Sequence, residues 1–354
     1  MLVWLSMLTA VAVLWFVIPD SIGEKKKKLM FLTFSGIIVV FLVGGRCVER
    51  TASADVLAYY RIYEDAITRS IESVMRSNQT EWGYTVFNKI LAFVIPWPQF
   101  IVYLEAAFVT LSVFRFLYIN VKDVCLGVIV YFCTGAWAFM TSGFRQAFAI
   151  GICLFAYEFM KKKAFKSDLI ALLLIFIAAM LHFSAWVFAV VFVIRNISVR
   201  PRVFLIGVGA TFCTYFVLTA AVDLLVRITD DTLTSSGYEG SVFGGLVPIA
   251  TFLVSLLLAY LANRSDKTFA KTFQVPILLV FFGLCLYTFR YNNTILERIS
   301  YYFTIFNCVL LPSAIGAIKD YRTRNIVKAL CIGVCFFLFV DRMAATNDYY
   351  FYWM

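Results

Sequence analysis

The sequence predicts an all-α polytopic membrane protein of about 10–12 transmembrane helices, some of them short or re-entrant. Composition points there first: of 354 residues, 62% are hydrophobic and only 15% are charged. Soluble domains carry roughly a quarter charged residues. Mean hydropathy is +0.86. The apolar residues lie in long blocks rather than short alternating strands, and the lysines and arginines cluster between the blocks. Such clusters report orientation in a bilayer.

The expected spans are 1–19, 29–45, 99–119, 123–141, 145–160, 202–222, 243–262, 274–290, 299–318 and 326–340. Residues 1–19 lack a basic leading region, and no small-residue cleavage site follows them, so they read as a span rather than a cleavable signal. Two segments are unusual. "YTVFNKILAFVIP" at 84–96 is too short for an ordinary crossing, while 168–194 is long for one crossing and short for two. Reading 168–194 as two short helices that turn at His182, and 84–96 as a segment that enters and leaves on one side, places every basic cluster on the cytoplasmic side. These clusters are "EKKKK" at 24–28, "KKKAFK" at 161–166, "RNISVRPR" at 195–202, "NRSDKTFAK" at 263–271 and "KDYRTRNIVK" at 319–328. Both termini then face outward; a single crossing over 168–194 would instead turn the later clusters outward. Half-crossings require shielding by protein or by a watery cavity, which implies a cavity near His182.

The chain then reads as one integral membrane domain over 1–354. It has an extracytoplasmic loop at 46–98 with amphipathic or re-entrant segments, and a smaller one at 223–242. Within the first loop, Val56, Tyr59, Tyr60, Tyr63, Ile67 and Ile71 fall at helical spacing. The outer segments mix both charge signs and are rich in tyrosine, whereas the inner loops are short and basic.

The net charge of +10 does not indicate a nucleic-acid partner, because it is spread over the loops between spans. The nine cysteines have no zinc spacing, and Cys125, Cys153, Cys331 and Cys335 sit inside apolar runs as small hydrophobes. With a single histidine, no metal site is expected. There is no Walker loop, dinucleotide fingerprint, HExxH or nucleophile elbow, so no cofactor is expected.

Arg145 opens an apolar helix in "SGFRQAFAI". It either snorkels to the surface or clamps an anion, with a guanidinium fork beside free helix-start N–H groups and Gln146 next to it. His182 in "LHFSA" is either a buried cross-helix hydrogen-bonding group or a proton-transfer group at the turn. Arg290, Tyr291, Glu297 and Arg298 are either interfacial anchors or contacts for an anionic sugar, with aromatic faces for the ring and arginines for phosphate. Arg46, Arg50, Asp55, Tyr59, Tyr60, Arg61 and Glu81 give the outer loop similar chemistry.

The order of "D…YY", "EWGYTVFNKI", "SGFRQAFAIGICLFAYEFMKKK" and "AAMLHFSAWVF" resembles the EpsG group of Wzy-like exopolysaccharide and O-antigen polymerases. Arg145, Gln146 and Ala149 match the RQ-A helix, and His182 with Ser184 the H-S segment. Asp55, Tyr59, Glu81, Gly83 and Tyr84 match the earlier segment, and Arg290, "ERISYYF" and Pro312 the later one. The resemblance implies a GT-C-like polymerase architecture in a bacterial plasma membrane with an extracytoplasmic active site. The substrates would be undecaprenyl-pyrophosphate-linked glycans, both donor and acceptor. A hydroxyl of the incoming unit would attack the anomeric carbon of the growing glycan and release undecaprenyl pyrophosphate. A flippase and a chain-length regulator are the protein partners it allows. The expected catalytic residues are His182, Arg145, Asp55 and Glu81. The expected substrate-binding residues are Arg290, Gln146, Tyr59, Tyr60, Arg61, Arg298 and Tyr291. The competing readings are a lipid-linked glycan ligase and a polysaccharide flippase or transporter.

Overall fold

The computed structural model describes residues 1–51, 53–77, 80–198, 242–291, 294–344 and 349–354. The expected span 202–222 lies outside them, as does all of the 223–242 loop except its last residue. The described residues are almost entirely helical; the one β-bridge pairs Arg46 with Phe351. They form two compact units, Met1–Ala189 with Ile332–Met354, and Val190–Cys331.

The first unit begins with α1 (Leu2–Val17) and α2 (Glu24–Gly44). Gly23, at φ +87°, turns the chain between them, and Lys27 binds Asp20 at 2.6 Å. On α2 the buried residues Phe31, Leu32, Ser35, Val39 and Val43 recur every three or four positions, so one stripe packs inward. The 46–98 segment forms α3 (Val48–Thr51), α4 (Ala54–Thr68), α5 (Ile71–Ser77) and α6 (Trp82–Val94). Of the residues expected at helical spacing, Val56 and Tyr63 are buried on α4 and Tyr59, Tyr60 and Ile67 are half-buried there, while Ile71 starts α5; Ile62 and Ala66 complete the buried side of α4.

Helix α7 (Gln99–Asn120) packs against α2 and α10. The stretch expected as one span over 123–141 is divided into α8 (Val124–Cys133) and α9 (Ala136–Met140). The break has a conformational cause. Gly135 sits at φ +96°, a left-handed conformation that residues with a Cβ rarely adopt, and it separates the two helices. Helices α10 (Phe144–Met160) and α11 (Phe165–Leu181) form a hairpin joined at Lys161–Ala164. Arg145 and His182 therefore stand at one end of the hairpin, and Lys161–Lys163 with Lys166 at the other. Helix α11 stops at Leu181 and His182 is extended at φ −155°, so the expected break falls at that residue; a 3-10 helix, Phe183–Val190, follows.

The second unit contains α12 (Val191–Ile194), α13 (Val242–Ser265), α14 (Lys267–Tyr287), a 3-10 turn at Thr288–Tyr291, α15 (Thr294–Thr304) and α16 (Asn307–Gly316). Asp266 caps α14 by accepting from the Thr268 N–H at 2.8 Å. The last helix, α17 (Tyr321–Ala344), belongs to this unit as far as Cys331. Among the described residues, Glu24–Gly44, Gln99–Asn120 and Pro248–Ser265 are long and apolar enough to cross a membrane. The α15–α16 pair, bent by 43°, makes a fourth if counted as one span. Leu2–Val17, Val124–Cys133, Phe183–Ile194 and Lys271–Tyr287 are apolar but shorter. The described residues thus include membrane-length apolar helices together with shorter apolar ones, and over 123–141 the apolar run continues across the glycine that interrupts the helix.

Candidate active site

Three residues far apart in the sequence meet in the first unit, each beside a buried anchor. Arg145 follows Phe144, His182 follows Leu181, and Glu81 stands three residues before Tyr84. All three anchors belong to one apolar core with Val56, Tyr63, Ile101, Val102 and Phe148. Packing the anchors therefore delivers the polar neighbours to a common point. Gly83 permits the closest of these approaches, since a Cβ there would lie 2.4 Å from the backbone oxygen of Met180. Glycine lets the start of α6 lie directly on the end of α11.

Glu81 is the hub. Its Oε1 accepts from Nδ1 of His182 at 2.9 Å and from the backbone N–H of Phe183 at 3.2 Å, and its Oε2 pairs with Nη1 of Arg145. The side chains of Glu81, Arg145 and His182 are 23%, 23% and 24% exposed, so the cluster opens to solvent on one side. Partial burial raises the Glu81 pKa. The His182 hydrogen bond, the residue's own backbone N–H and the Arg145 charge outweigh it and hold the carboxyl down to about 2. An ionised carboxylate only accepts, so His182 donates through Nδ1; in the neutral ring Nε2 is then the free acceptor.

Arg145 sits in the first turn of α10, whose N-cap, Gly143, supplies no side-chain cap. The amides of that turn and the guanidinium share one depth, a combination that suits an anion. The Nε of Arg145 is buried and has no partner among the described residues. Tyr59 covers the guanidinium: its ring centroid is 5.8 Å from the guanidinium carbon, and its ring stacks on Phe144 at 5.3 Å. Glu81 is the N-cap of α6 but does not cap it, because its carboxylate is directed to Arg145 and His182 instead.

Of the residues expected from sequence, Arg145, Glu81, His182 and Tyr59 are brought together. Asp55 is exposed in the first turn of α4, one turn before Tyr59. Tyr60 is half-buried. Arg61, two positions beyond Tyr59 and therefore on the opposite side of α4, is exposed. Gln146 is buried, at 4% exposure, rather than open to solvent. Arg298 is exposed on α15 in the second unit. Arg290 and Tyr291 lie in the 3-10 turn of that unit, and their side chains fall outside the described residues. Sequence reasoning passed over the structural role of Gly83 and the whole of Glu105. The second had a legible signal, a lone carboxylate inside the apolar run "IVYLEAAFV".

No curated protein and no solved structure matches the chain. A family model, that of the EpsG family, matches residues 6–354. That match covers nearly the whole chain, including every residue of the cluster, and the protein is a member of the EpsG family.

Proposed function

We propose that this protein is a polysaccharide polymerase of the Wzy type. It joins undecaprenyl-pyrophosphate-linked repeat units at the outer face of a bacterial plasma membrane. The observation that carries the proposal is a single carboxylate, Glu81, bonded at once to an arginine at an uncapped helix start and to the chain's one histidine. The first pair suits a pyrophosphate. Arginine presents a planar fork of N–H donors suited to phosphate oxygens, here beside the first-turn amides of α10. The second pair suits a general base, since a carboxylate on Nδ1 fixes the imidazole with Nε2 directed away from it.

In this reading the acceptor hydroxyl oxygen attacks the anomeric carbon of the growing glycan as its proton passes to Nε2 of His182. The bond between that carbon and the pyrophosphate oxygen breaks, and its electron pair leaves on undecaprenyl pyrophosphate. Arg145 and the first-turn amides of α10 stabilise the charge that develops there. Glu81 holds both groups in register and stabilises the imidazolium. Tyr59 offers a ring face beside the guanidinium for a sugar. Asp55 remains a proposed catalytic residue, and Tyr60, Arg61, Gln146, Arg290, Tyr291 and Arg298 proposed substrate contacts, outside this cluster.

The placement of charge along the helices supports an outward site in a polytopic, GT-C-like domain spanning 1–354 with its 46–98 and 223–242 loops outside. Asn120 at the far end of α7 bonds Glu158 and Lys161 at 2.8 Å each. Lys122 acts on Glu24 at the start of α2. The lysines of α2, α7, α10 and α11 therefore gather at one end, opposite Arg145 and His182. The positive-inside rule makes the lysine end cytoplasmic.

The test is reconstitution of the pure protein in vesicles with native lipid-linked repeat units and no nucleotide. Longer lipid-linked glycans are expected. Absence of chain growth, with folded protein and the correct repeat, rejects the proposal. In cells lacking the protein, single lipid-linked repeats should accumulate on the outer leaflet. Accumulation on the inner leaflet would indicate a flippase, and finished chains without their final acceptor a ligase.

A further inference from the structure

The first unit also buries two ionisable residues of opposite type. Arg46 is 6% exposed and Glu105 is 0% exposed. Neither carboxylate oxygen of Glu105 has a hydrogen-bond partner among the described residues, nor does Nε of Arg46. The pair is therefore not a closed salt bridge, and direct stabilisation does not account for its burial. Arg46 is also held with unusual care. Gln99, at the start of α7, donates to the carbonyls of Gly44 and Arg46 at 2.6 and 3.0 Å. The C-terminal segment braces the other side. The N–H of Cys47 donates to the Tyr350 carbonyl at 2.8 Å, the N–H of Tyr352 to the Gly45 carbonyl at 2.9 Å, and the Tyr349 hydroxyl to the Leu42 carbonyl at 2.6 Å.

The guanidinium held in this way donates through Nη2 to the carbonyl of Thr141. Thr141 ends α9, and the Ser142–Gly143 turn after it opens α10. The N–H groups of Ser142 and Gly143 bond back to the Phe139 carbonyl at 3.0 and 2.8 Å, so the turn is a closed unit with Arg46 at its edge. Arg145 stands four residues beyond the carbonyl that Arg46 grips.

We propose that Arg46 is a positioning residue for Arg145: braced by Gln99 and the C-terminal segment, it fixes the turn from which Arg145 is presented. The consequence for turnover rests on the polymerase reading; the consequence for the turn does not. Arg46 supplies a geometric constraint that a small apolar residue cannot.

The test compares wild type with Arg46→Lys, Arg46→Met and the double variant Arg46→Met/Glu105→Leu in lipid nanodiscs. Amide hydrogen exchange over 139–147 is the first readout. Both variants with Met at position 46 should exchange there at least about tenfold faster, with α14–α16 unchanged, because the turn has lost its edge contact. The double variant also removes the buried, unpartnered carboxyl of Glu105 and should recover part of the thermal midpoint that Arg46→Met alone loses. Its turnover of lipid-linked repeats should nonetheless stay on the order of 10²-fold down, with a raised KM for the lipid donor. Arg46→Lys, which keeps a donor and the charge, should fall between. A double variant with wild-type exchange at 139–147, or with turnover within about twofold of wild type, overturns the proposal. If wild type itself forms no polymer, the polymerase reading fails, and the exchange measurement still decides the role of Arg46.

Discussion

Replacing Glu81 by glutamine probes the hub of the cluster with almost no change in shape. The new side-chain carbonyl can still accept from Phe183 N–H and from His182, but the amide nitrogen then faces the Arg145 guanidinium, donor against donor. If the amide turns to satisfy Arg145, it meets the Nδ1–H of His182 instead, so one contact is lost either way. The charge carries the larger effect. Holding a carboxyl at about 2 rather than 4.5 is worth about 3 kcal/mol to the assembled site. Exposure of 23% of the side chain makes that an upper figure. Because the folded pKa is depressed, this contribution is fully present above pH 4.5, the ordinary value, and is lost as the pH falls through it toward 2. The thermal midpoint of wild type and Glu81→Gln in nanodiscs, followed from pH 7 to pH 3, should therefore differ most near neutrality and converge toward the acid end. A difference that is constant over this range, or absent at pH 7, would refute the assignment of Glu81 as the ionised hub.

The remaining predictions concern the groups around it. Gly83→Ala places a Cβ against the Met180 backbone and should cost about 1–3 kcal/mol through the strain of separating α6 from α11. It should also lower activity beyond its effect on folding, and a Gly83→Ala protein as active and as stable as wild type would exclude the close approach. Arg145→Lys keeps the charge but loses the fork, and at matched protein levels polymer chain length should drop sharply; normal polymer would count against a pyrophosphate clamp. His182→Gln should lower turnover and flatten its pH profile, whereas an unchanged pH profile would transfer the role of base to another group. Tyr59→Phe keeps the stack on Phe144 and removes only the hydroxyl, so turnover should fall by no more than about tenfold. A loss as large as that of Arg145→Lys would make the hydroxyl itself part of the chemistry.

The sequence alone determined the helical, membrane-associated class of the molecule and the position of several helix boundaries, and it named the residues that the candidate site brings together. Apolar blocks reveal helices because every backbone polar group must be satisfied locally in an apolar medium, and the amphipathic stripe of α4 is read from spacing for the same local reason. The histidine break was legible because 27 residues, 168–194, fit neither one crossing nor two. Where local reading failed, as over 123–141, the break is at Gly135, whose φ of +96° ends the helical path although the run stays apolar on both sides. Only the tertiary structure decided which polar residues share a site. Glu81 lies 64 residues from Arg145 and 101 from His182, and no periodicity encodes those pairings. They follow from the packing of Phe144, Leu181 and Tyr84 into one core and from a glycine small enough to let two backbones touch. The same holds for Arg46, whose side chain reads as one more outer-loop cation until folding buries it and sets it on a carbonyl 95 residues away. Charge type is written in the chain; which charge faces which depends on close contacts that only the packed fold creates.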